Sequence, residues 1–272
     1  MPYLRLDDTE LFYTDTGAAA SGETVVFSHG LLMSHRMFAA QVEALRERYR
    51  CVAYDHRGQG LSAPSELRCI DMGTLTGDAV ALIEKLELGP VHFIGLSMGG
   101  FVGMRLAARR RKLVRSLVLL ETSAGPELEA NLPKYRAMSL VAKSLGPGVL
   151  VGRLAPIMLG RSFLADPAKR SVREEWLGHF RALPKSIWRA VNGVLERESV
   201  VPELGRIRCP TLILVGDEDV ATPREQSERI QRGIRGSKLV VIPRAGHSST
   251  IEEPQAVSRE ISAFLQGPDS RA

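Results

Sequence analysis

Cysteine is scarce in this sequence, with three residues among 272, at Cys51, Cys69 and Cys209. An odd number of cysteines with no recurring spacing provides neither a disulfide framework nor the paired ligands of a zinc site. Cys51 and Cys209 adjoin apolar segments, so we expect both to be small buried side chains. No metal-binding or organic-cofactor motif is found in the sequence, and we expect the protein to need no cofactor.

Long apolar runs are also missing. No run is long enough to cross a bilayer, and residues 1–8 carry acidic charge without the apolar stretch of a secretory signal. We therefore expect a cytoplasmic protein with no membrane partner. Internal repeats and low-complexity tracts are absent, and 44% hydrophobic with 25% charged residues is the balance of a globular protein.

A concentrated basic surface is not indicated either, although the formal net charge is +5. The basic residues are scattered, and the dense run at 109–112 lies where a helix is predicted to end. Cations at that position complement the helix dipole. A phosphate-binding patch would need a broader basic face, so we expect no nucleic-acid partner.

Short β-branched runs alternate with longer amphipathic stretches, which is the pattern of a mostly parallel sheet covered by helices. Helices are predicted over 75–88, 101–108, 223–234 and 254–265, and another follows the strand at 24–28. Eight strands are predicted at 4–6, 11–14, 24–28, 51–54, 91–94, 114–120, 211–215 and 238–242.

The alternation stops between residues 125 and 204, where short helical segments are broken by prolines. Because strands resume afterwards, this stretch is predicted to be an insertion and not a tandem domain. We call residues 125–204 the cap. The remaining residues, 1–124 and 205–272, are predicted to form one α/β core.

Residues 95–99 read Gly-Leu-Ser-Met-Gly and fit the Gly-x-Ser-x-Gly nucleophile elbow. In that elbow a tight strand-to-helix turn exposes the serine hydroxyl, and the flanking glycines avoid side-chain clashes. A predicted apolar strand precedes the motif and a predicted helix follows it, which an ordinary serine at a helix start would not require. Ser97 is therefore predicted to be a nucleophile.

A serine hydroxyl is a weak nucleophile and needs a base with an orienting carboxylate. In the elbow architecture the chain order is serine, acid, histidine. His247 follows the last predicted strand in a Gly-His loop and is predicted to be the base. His179, the other histidine after the elbow, is expected on the surface of the cap.

The acid is predicted in the turn after the strand at 211–215, where Asp217, Glu218 and Asp219 follow one another. We favour Asp219. The alternative is that all three are solvated residues that cap the next helix. Glu121, at the end of the strand at 114–120, is a further candidate for the same role.

The tetrahedral intermediate of acyl transfer needs backbone donors for its oxyanion. One is predicted to be the amide of Met98, the residue after the nucleophile, and the second the amide of Leu31, in the loop after an earlier strand. His29 precedes the serine in the chain and is expected to shape this loop. The remaining histidines are expected to be structural or surface residues: His35, His56 and His92.

Five motifs in this order resemble the α/β-hydrolase superfamily, and they span most of the chain: residues 29–31, 55–62, 95–100, 216–219 and 246–249. The resemblance implies an α/β-hydrolase fold. It also implies that the acid lies three residues after Gly216, at Asp219, and that the oxyanion donor directly follows the His-Gly pair, at Leu31.

Within the superfamily, residues 29–38, the elbow and the compact cap resemble bacterial carboxylesterases and 3-oxoadipate enol-lactonases. Those enol-lactonases usually carry Asn-Ser where this chain has His29 and Gly30, which favours the esterase interpretation. A serine at position 97, where haloalkane dehalogenases carry aspartate, argues against that activity. Met98 is common in relatives with a cofactor-free perhydrolase side activity.

These observations favour cleavage of a small to medium carboxylic ester or lactone through a Ser97 acyl-enzyme, beneath a mostly apolar cap. The same three residues would also serve carbon–carbon bond hydrolysis or perhydrolysis, and a small-ligand sensor with residual turnover is a third hypothesis. A homodimer is compatible with the sequence. Four cap arginines are either solvated or able to bind a substrate carboxylate: Arg136, Arg153, Arg181 and Arg197.

Overall fold

The computed structural model describes residues 2–267, and an eight-stranded sheet forms its centre, in the order β1-β2-β4-β3-β5-β6-β7-β8. β1 pairs antiparallel with β2, and β2 pairs antiparallel with β4. The other neighbours pair parallel, which confirms the predicted mostly parallel sheet. The strands are β1 (Tyr3–Arg5), β2 (Glu10–Asp15), β3 (Thr24–Ser28), β4 (Arg50–Tyr54), β5 (Val91–Leu96), β6 (Val114–Leu120), β7 (Thr211–Gly216) and β8 (Lys238–Ile242).

Residues 1 and 268–272 of the predicted core lie outside the described residues. Every residue of β3, β5 and β7 is buried, because parallel strands are covered by helices on both faces. The α-helices are α1 (Ala39–Leu45), α2 (Met72–Lys85), α3 (Met98–Arg109), α4 (Leu132–Leu145), α5 (Val151–Met158), α6 (Arg161–Ala165), α7 (Arg170–Ala182), α8 (Trp188–Leu195), α9 (Arg224–Gly233), α10 (Ser249–Glu252) and α11 (Pro254–Gln266).

Helix α2 begins three residues before the predicted start and ends three before the predicted end. Asp71 caps its N-terminus by accepting a hydrogen bond from the Thr74 amide at 2.8 Å. After its last residue, Glu87 and Gly89 adopt positive φ angles of 50° and 69°, which the helix cannot continue through. The apolar periodicity therefore extends past the real end of the helix.

Helices α4 to α8 all lie between β6 and β7, within residues 125–204. Short 3₁₀ segments join them, and proline occupies the first turn of α4, where a missing amide donor costs nothing. Phe163, Trp176 and Phe180 are buried and give the segment an apolar interior. Within residues 2–267 no helix combines the length and the apolar character that a membrane span requires.

The structure also bears on two smaller predictions, which concern the basic run at 109–112 and the burial of two cysteines. Arg109 ends α3 and pairs with Glu203 at 2.6 Å, and Arg110 pairs with Glu84, so both lie at a helix end among carboxylates. Cys51 is buried as expected, but Cys209 is only half-buried, because it lies just before β7 begins.

Candidate active site

Ser97 lies in the turn that joins β5 to α3. Its backbone has φ 51° and ψ −110°, a strained conformation for a residue with a side chain. The Ser97 amide donates to Leu120 in β6 at 2.8 Å, and the Ser97 carbonyl accepts from the Thr122 hydroxyl at 2.8 Å. A Cβ at Gly95 would lie 2.3 Å from the Gly99 carbonyl oxygen, so only glycine allows this turn to close.

His247 lies beside Ser97, on the loop that follows β8. Its Nε2 is 2.9 Å from Ser97 Oγ, and its Nδ1 is 3.0 Å from Asp219 Oδ1. Asp219, in the turn after β7, also accepts hydrogen bonds from the Ala221 amide at 2.9 Å and the Thr222 hydroxyl at 2.7 Å. The structure thus brings together Ser97, Asp219 and His247 in the geometry of a nucleophile, a base and an orienting acid.

The charges around His247 favour its protonated form. Burial alone would lower the pKa of His247, but the carboxylates of Asp219, Glu252 and Glu127 outweigh it and raise the pKa above its ordinary value. Burial alone would raise the pKa of Asp219, but His247 and the hydrogen bonds from Thr222 lower it. Asp219 is therefore ionised and positioned to stabilise an imidazolium.

The other predicted acids lie elsewhere. Asp217 is exposed, and Glu218 accepts hydrogen bonds from the Ser162 amide at 2.8 Å and the Ser162 hydroxyl at 2.6 Å, in the cap. Glu121 is completely buried, and burial, followed by the charge of Asp219, raises its pKa well above the ordinary value. Burial therefore favours the protonated form of Glu121, whereas the contacts of Asp219 favour its ionised form.

The residues of both predicted oxyanion donors lie near Ser97. Met98 is the first residue of α3, and its amide has no acceptor within the helix. The loop of Leu31 runs close to the serine: a Cβ built at Gly30 would lie 3.6 Å from Ser97 Cβ. Leu31 and Ser97 line the same pocket.

His29 contacts the backbone of this loop, in line with its expected role. Its Nδ1 lies 2.7 Å from the Gly30 carbonyl oxygen, and its Nε2 accepts the His56 amide at 2.9 Å. Burial lowers the pKa of His29 to about 4, so the ring is neutral. His56 is buried against Ser28 and His92 against Ser116, both in structural roles.

An apolar pocket of about 130 Å³ opens from Ser97 and His247 into the cap. Leu31 and Leu32 line it on the core side, so the pocket lies between the cap and the predicted oxyanion loop. Its cap wall is mostly aliphatic and includes Met138, Leu150, Leu154, Ile157, Ile187 and Val191.

One ion pair lies in this apolar wall. Arg197 donates to Glu127 Oε2 at 2.9 Å, and their side chains are 5% and 11% exposed. Its remaining hydrogen bonds go to the carbonyl oxygens of Gly125 and Val194 and to the Ser123 hydroxyl. Arg197 is thus neither solvated nor free to bind a substrate carboxylate. The other three arginines considered for a substrate carboxylate are exposed: Arg136, Arg153 and Arg181.

Comparison with known proteins agrees with the fold. Residues 25–260 match the family model described as "Alpha/beta hydrolase family". The chain belongs to the alpha/beta hydrolase family. This hydrolase is 30% identical to the "Putative carbamate hydrolase RutD" of Pseudomonas syringae pv. syringae strain B728a, over 90% of this chain and 95% of RutD.

Two solved structures resemble the hydrolase over nearly their full length. A thermophilic esterase from Thermogutta terrifontis has a TM-score of 0.88 and 30% sequence identity, and the match covers 97% of this chain and 95% of the esterase. The enol-lactonase from Burkholderia xenovorans LB400 also has a TM-score of 0.88, with 26% identity, and the match covers 98% of this chain and 100% of the enol-lactonase.

Two residues near the hydrolase site were missed by sequence reasoning. Gln59 accepts the Leu32 amide at 3.0 Å, which fixes the loop next to Leu31. His179, expected on the surface, is half-buried, and its Nε2 lies 2.9 Å from the Leu32 carbonyl oxygen. The prediction for His179 was wrong because amphipathic periodicity in α7 does not reveal that the core lies against its polar face. The Gly-Gln-Gly sequence at 58–60 could have drawn attention to Gln59.

Proposed function

We propose that this hydrolase cleaves small to medium carboxylic esters or lactones through an acyl-enzyme on Ser97. The observation that carries the proposal is the hydrogen-bonded chain from Ser97 Oγ through His247 to Asp219, with contacts of 2.9 and 3.0 Å. Ser97 and His247 line an apolar pocket that is suited to an acyl group.

In the first half of the proposed reaction, Ser97 Oγ attacks the substrate carbonyl carbon and its proton passes to His247 Nε2. Asp219 stabilises the imidazolium through Nδ1. The Met98 and Leu31 amides donate hydrogen bonds to the negatively charged carbonyl oxygen. The tetrahedral intermediate then collapses, and His247 returns the proton to the departing alkoxide oxygen.

In the second half, water attacks the acyl-enzyme by the same route. His247 accepts a proton from the water, a second tetrahedral intermediate forms, and the acid product leaves as Ser97 regains its proton. A lactone follows the same two halves, except that the alcohol and the acid remain in one product molecule.

The pocket favours a neutral, apolar acyl group. Arg197 is paired with Glu127, so the pocket wall, as far as residues 2–267 form it, offers no unpaired cation to attract a substrate carboxylate. This argues against an acidic lactone, although one neighbouring structure is an enol-lactonase. A small polar carbamate, suggested by the name of RutD, would leave the aliphatic wall without contacts.

The test is hydrolysis of p-nitrophenyl esters of graded acyl length by the wild type and by Ser97→Ala. We expect the variant to lose at least about 10⁴-fold in kcat, because the nucleophile and its proton transfer are removed together. The acyl length that gives the highest kcat/KM would show how long an acyl chain the pocket accepts.

Ester turnover that persisted in Ser97→Ala would contradict the acyl-enzyme. A wild type inactive on every ester, but active on dienone carbon–carbon substrates or in peracid formation, would support those reactions instead. Binding of apolar ligands with raised thermal stability and almost no turnover would point to the sensor hypothesis.

A further inference from the structure

Glu252, the last residue of α10, is a buried carboxylate that the proposed reaction does not use. Its Oε2 accepts the amides of Gly160 and Gly246, both at 2.8 Å. Its Oε1 accepts the amide of Ser248 at 2.9 Å. One side chain therefore satisfies three buried backbone donors, which would each be costly to leave unpaired.

The three amides belong to two parts of the molecule. Gly246 and Ser248 are the residues on either side of His247, so Glu252 holds the base by its own backbone. Gly160 lies in the cap, between α5 and α6. A Cβ at Gly160 would lie 2.7 Å from the Gly246 amide nitrogen, so the two backbones are in close contact.

The charge of Glu252 also acts on His247. Burial raises the pKa of the Glu252 carboxyl, and the three amide hydrogen bonds offset only part of that effect. The carboxyl groups that raise the pKa of His247 are those of Asp219, Glu252 and Glu127. Near Glu252, the Lys169 ammonium donates to its main-chain oxygen and not to its carboxylate. Burial raises the pKa of Glu121 well above its ordinary value, and Glu218 Oε2 faces the same Gly160 position as Glu252 Oε2.

We propose that Glu252 is a positioning residue, which fixes the His247 loop against the cap and contributes a second negative charge behind the base. This role rests on the proposed function, because it requires His247 to move the Ser97 proton. Asp219 orients the ring at Nδ1, whereas Glu252 orients the backbone from which the ring projects.

The test compares Glu252→Gln with a matched control, Glu253→Gln, which removes the same charge one residue later, where it faces Lys169. We expect Glu252→Gln to lower kcat on the best p-nitrophenyl ester by about tenfold or more with little change in KM. The reason is that a glutamine side chain carries an NH₂ group, which cannot accept a hydrogen bond and would face a backbone amide donor of the His247 loop or the cap. We also expect the acid limb of the kcat/KM profile to move to lower pH by about half a unit or more, because the His247 imidazolium loses a nearby anion.

A second measurement, the rate at which paraoxon phosphorylates Ser97, does not require the natural substrate to be known. Paraoxon phosphorylates an activated serine: the Ser97 oxygen bonds to phosphorus, p-nitrophenolate leaves, and the serine proton passes to His247. We expect the burst of p-nitrophenolate to be slowed in Glu252→Gln, normal in Glu253→Gln and absent in Ser97→Ala. If the wild type hydrolysed no ester but gave this burst, the substrate class would be wrong, and the burst rates would still decide the role of Glu252.

A folded Glu252→Gln whose kcat, burst rate and acid limb matched those of Glu253→Gln would overturn the proposal. A lower Tm with an unchanged acid limb would also overturn it, because that is the result of a structural role alone. If Glu252→Gln does not fold, Glu252→Asp keeps the charge but shortens the reach. It is then expected to keep the acid limb and lose about tenfold in kcat, and an unchanged kcat would overturn the proposal.

Discussion

Asp219 and Glu121 are two buried carboxyl groups whose surroundings shift their pKa values in opposite directions. Asp219 accepts hydrogen bonds from Thr222, Ala221 and His247 and is ionised. Glu121 makes no hydrogen bond of standard geometry within the described residues, and its pKa is raised well above the ordinary value by burial. Two carboxylates at such a site would repel each other, so one of them holds its proton.

This difference predicts the outcome of two isosteric changes. Asp219→Asn should lower kcat by about 10⁴-fold, because the amide can neither stabilise the imidazolium nor hold His247 in the required tautomer. Glu121→Gln should leave kcat within about twofold of the wild type, because burial favours the uncharged form of Glu121, which an amide resembles in charge and shape. Steady-state kinetics on one p-nitrophenyl ester would measure both. A loss in Glu121→Gln comparable to that in Asp219→Asn would show that Glu121 shares the role of the acid.

At the scale of the elements, the cap supplies the walls of the pocket and the core supplies the reacting groups. The Arg197–Glu127 pair is the charged feature that we identify in the cap wall. Arg197 also lies over the Phe101 ring, 4.5 Å from its centre, and so connects the cap to α3. The Glu127 carboxylate compensates the charge of the buried Arg197 guanidinium, so the ion pair adds no net charge to the pocket.

Removal of that compensation should change substrate preference. In Glu127→Gln the buried guanidinium is left without its carboxylate, so the pocket gains a net positive charge. We expect the kcat/KM of mono-p-nitrophenyl glutarate to rise about tenfold relative to that of p-nitrophenyl pentanoate. Glu129→Gln, on an exposed neighbour, serves as the control. An unchanged ratio in Glu127→Gln would mean that the substrate acyl group does not extend to this pair.

Across the whole molecule, one buried arginine joins three separate parts of the core. Arg57 donates to Asp78 in α2 through two nitrogens, at 2.6 and 2.5 Å, and to Asp8 between β1 and β2 at 2.8 Å. Arg57 itself lies in the turn after β4 that carries Gln59. The side chains of Arg57 and Asp78 are 5% and 3% exposed, so neither charge is solvated.

Arg57→Met should therefore destabilise the protein by about 3 kcal/mol or more, because the Asp78 carboxylate would be left buried without its partner. For a chain of this size the corresponding fall in Tm is roughly 6–12 °C. Arg50→Met breaks a more exposed pair with Asp15 and should cost less than about 1 kcal/mol. Thermal unfolding followed by circular dichroism compares the two. Equal shifts would contradict a dominant role for burial.

The features that sequence analysis predicted are those with local signals. The strands were predicted from continuous apolar runs, and the elbow at 95–99 from glycines that its turn requires. The missed contacts join residues that are far apart in the chain: Gly160 and Glu252 are separated by 92 residues, Glu127 and Arg197 by 70, and Leu32 and His179 by 147. No periodicity connects such pairs, because packing of the cap on the core decides which side chains meet.

The contact between Gly160 and the His247 loop limits how this enzyme could be re-engineered. Because the cap enters and leaves the sheet between adjacent strands, β6 and β7, it could be exchanged for that of a relative to create a chimera with another pocket. The graft would have to bring a glycine to position 160, since any side chain there would displace the Gly246 backbone. It would also need Ser162 or an equivalent donor for Glu218, the neighbour of Asp219. A transplanted cap that lacked either residue would inherit a new specificity without a properly held base or acid.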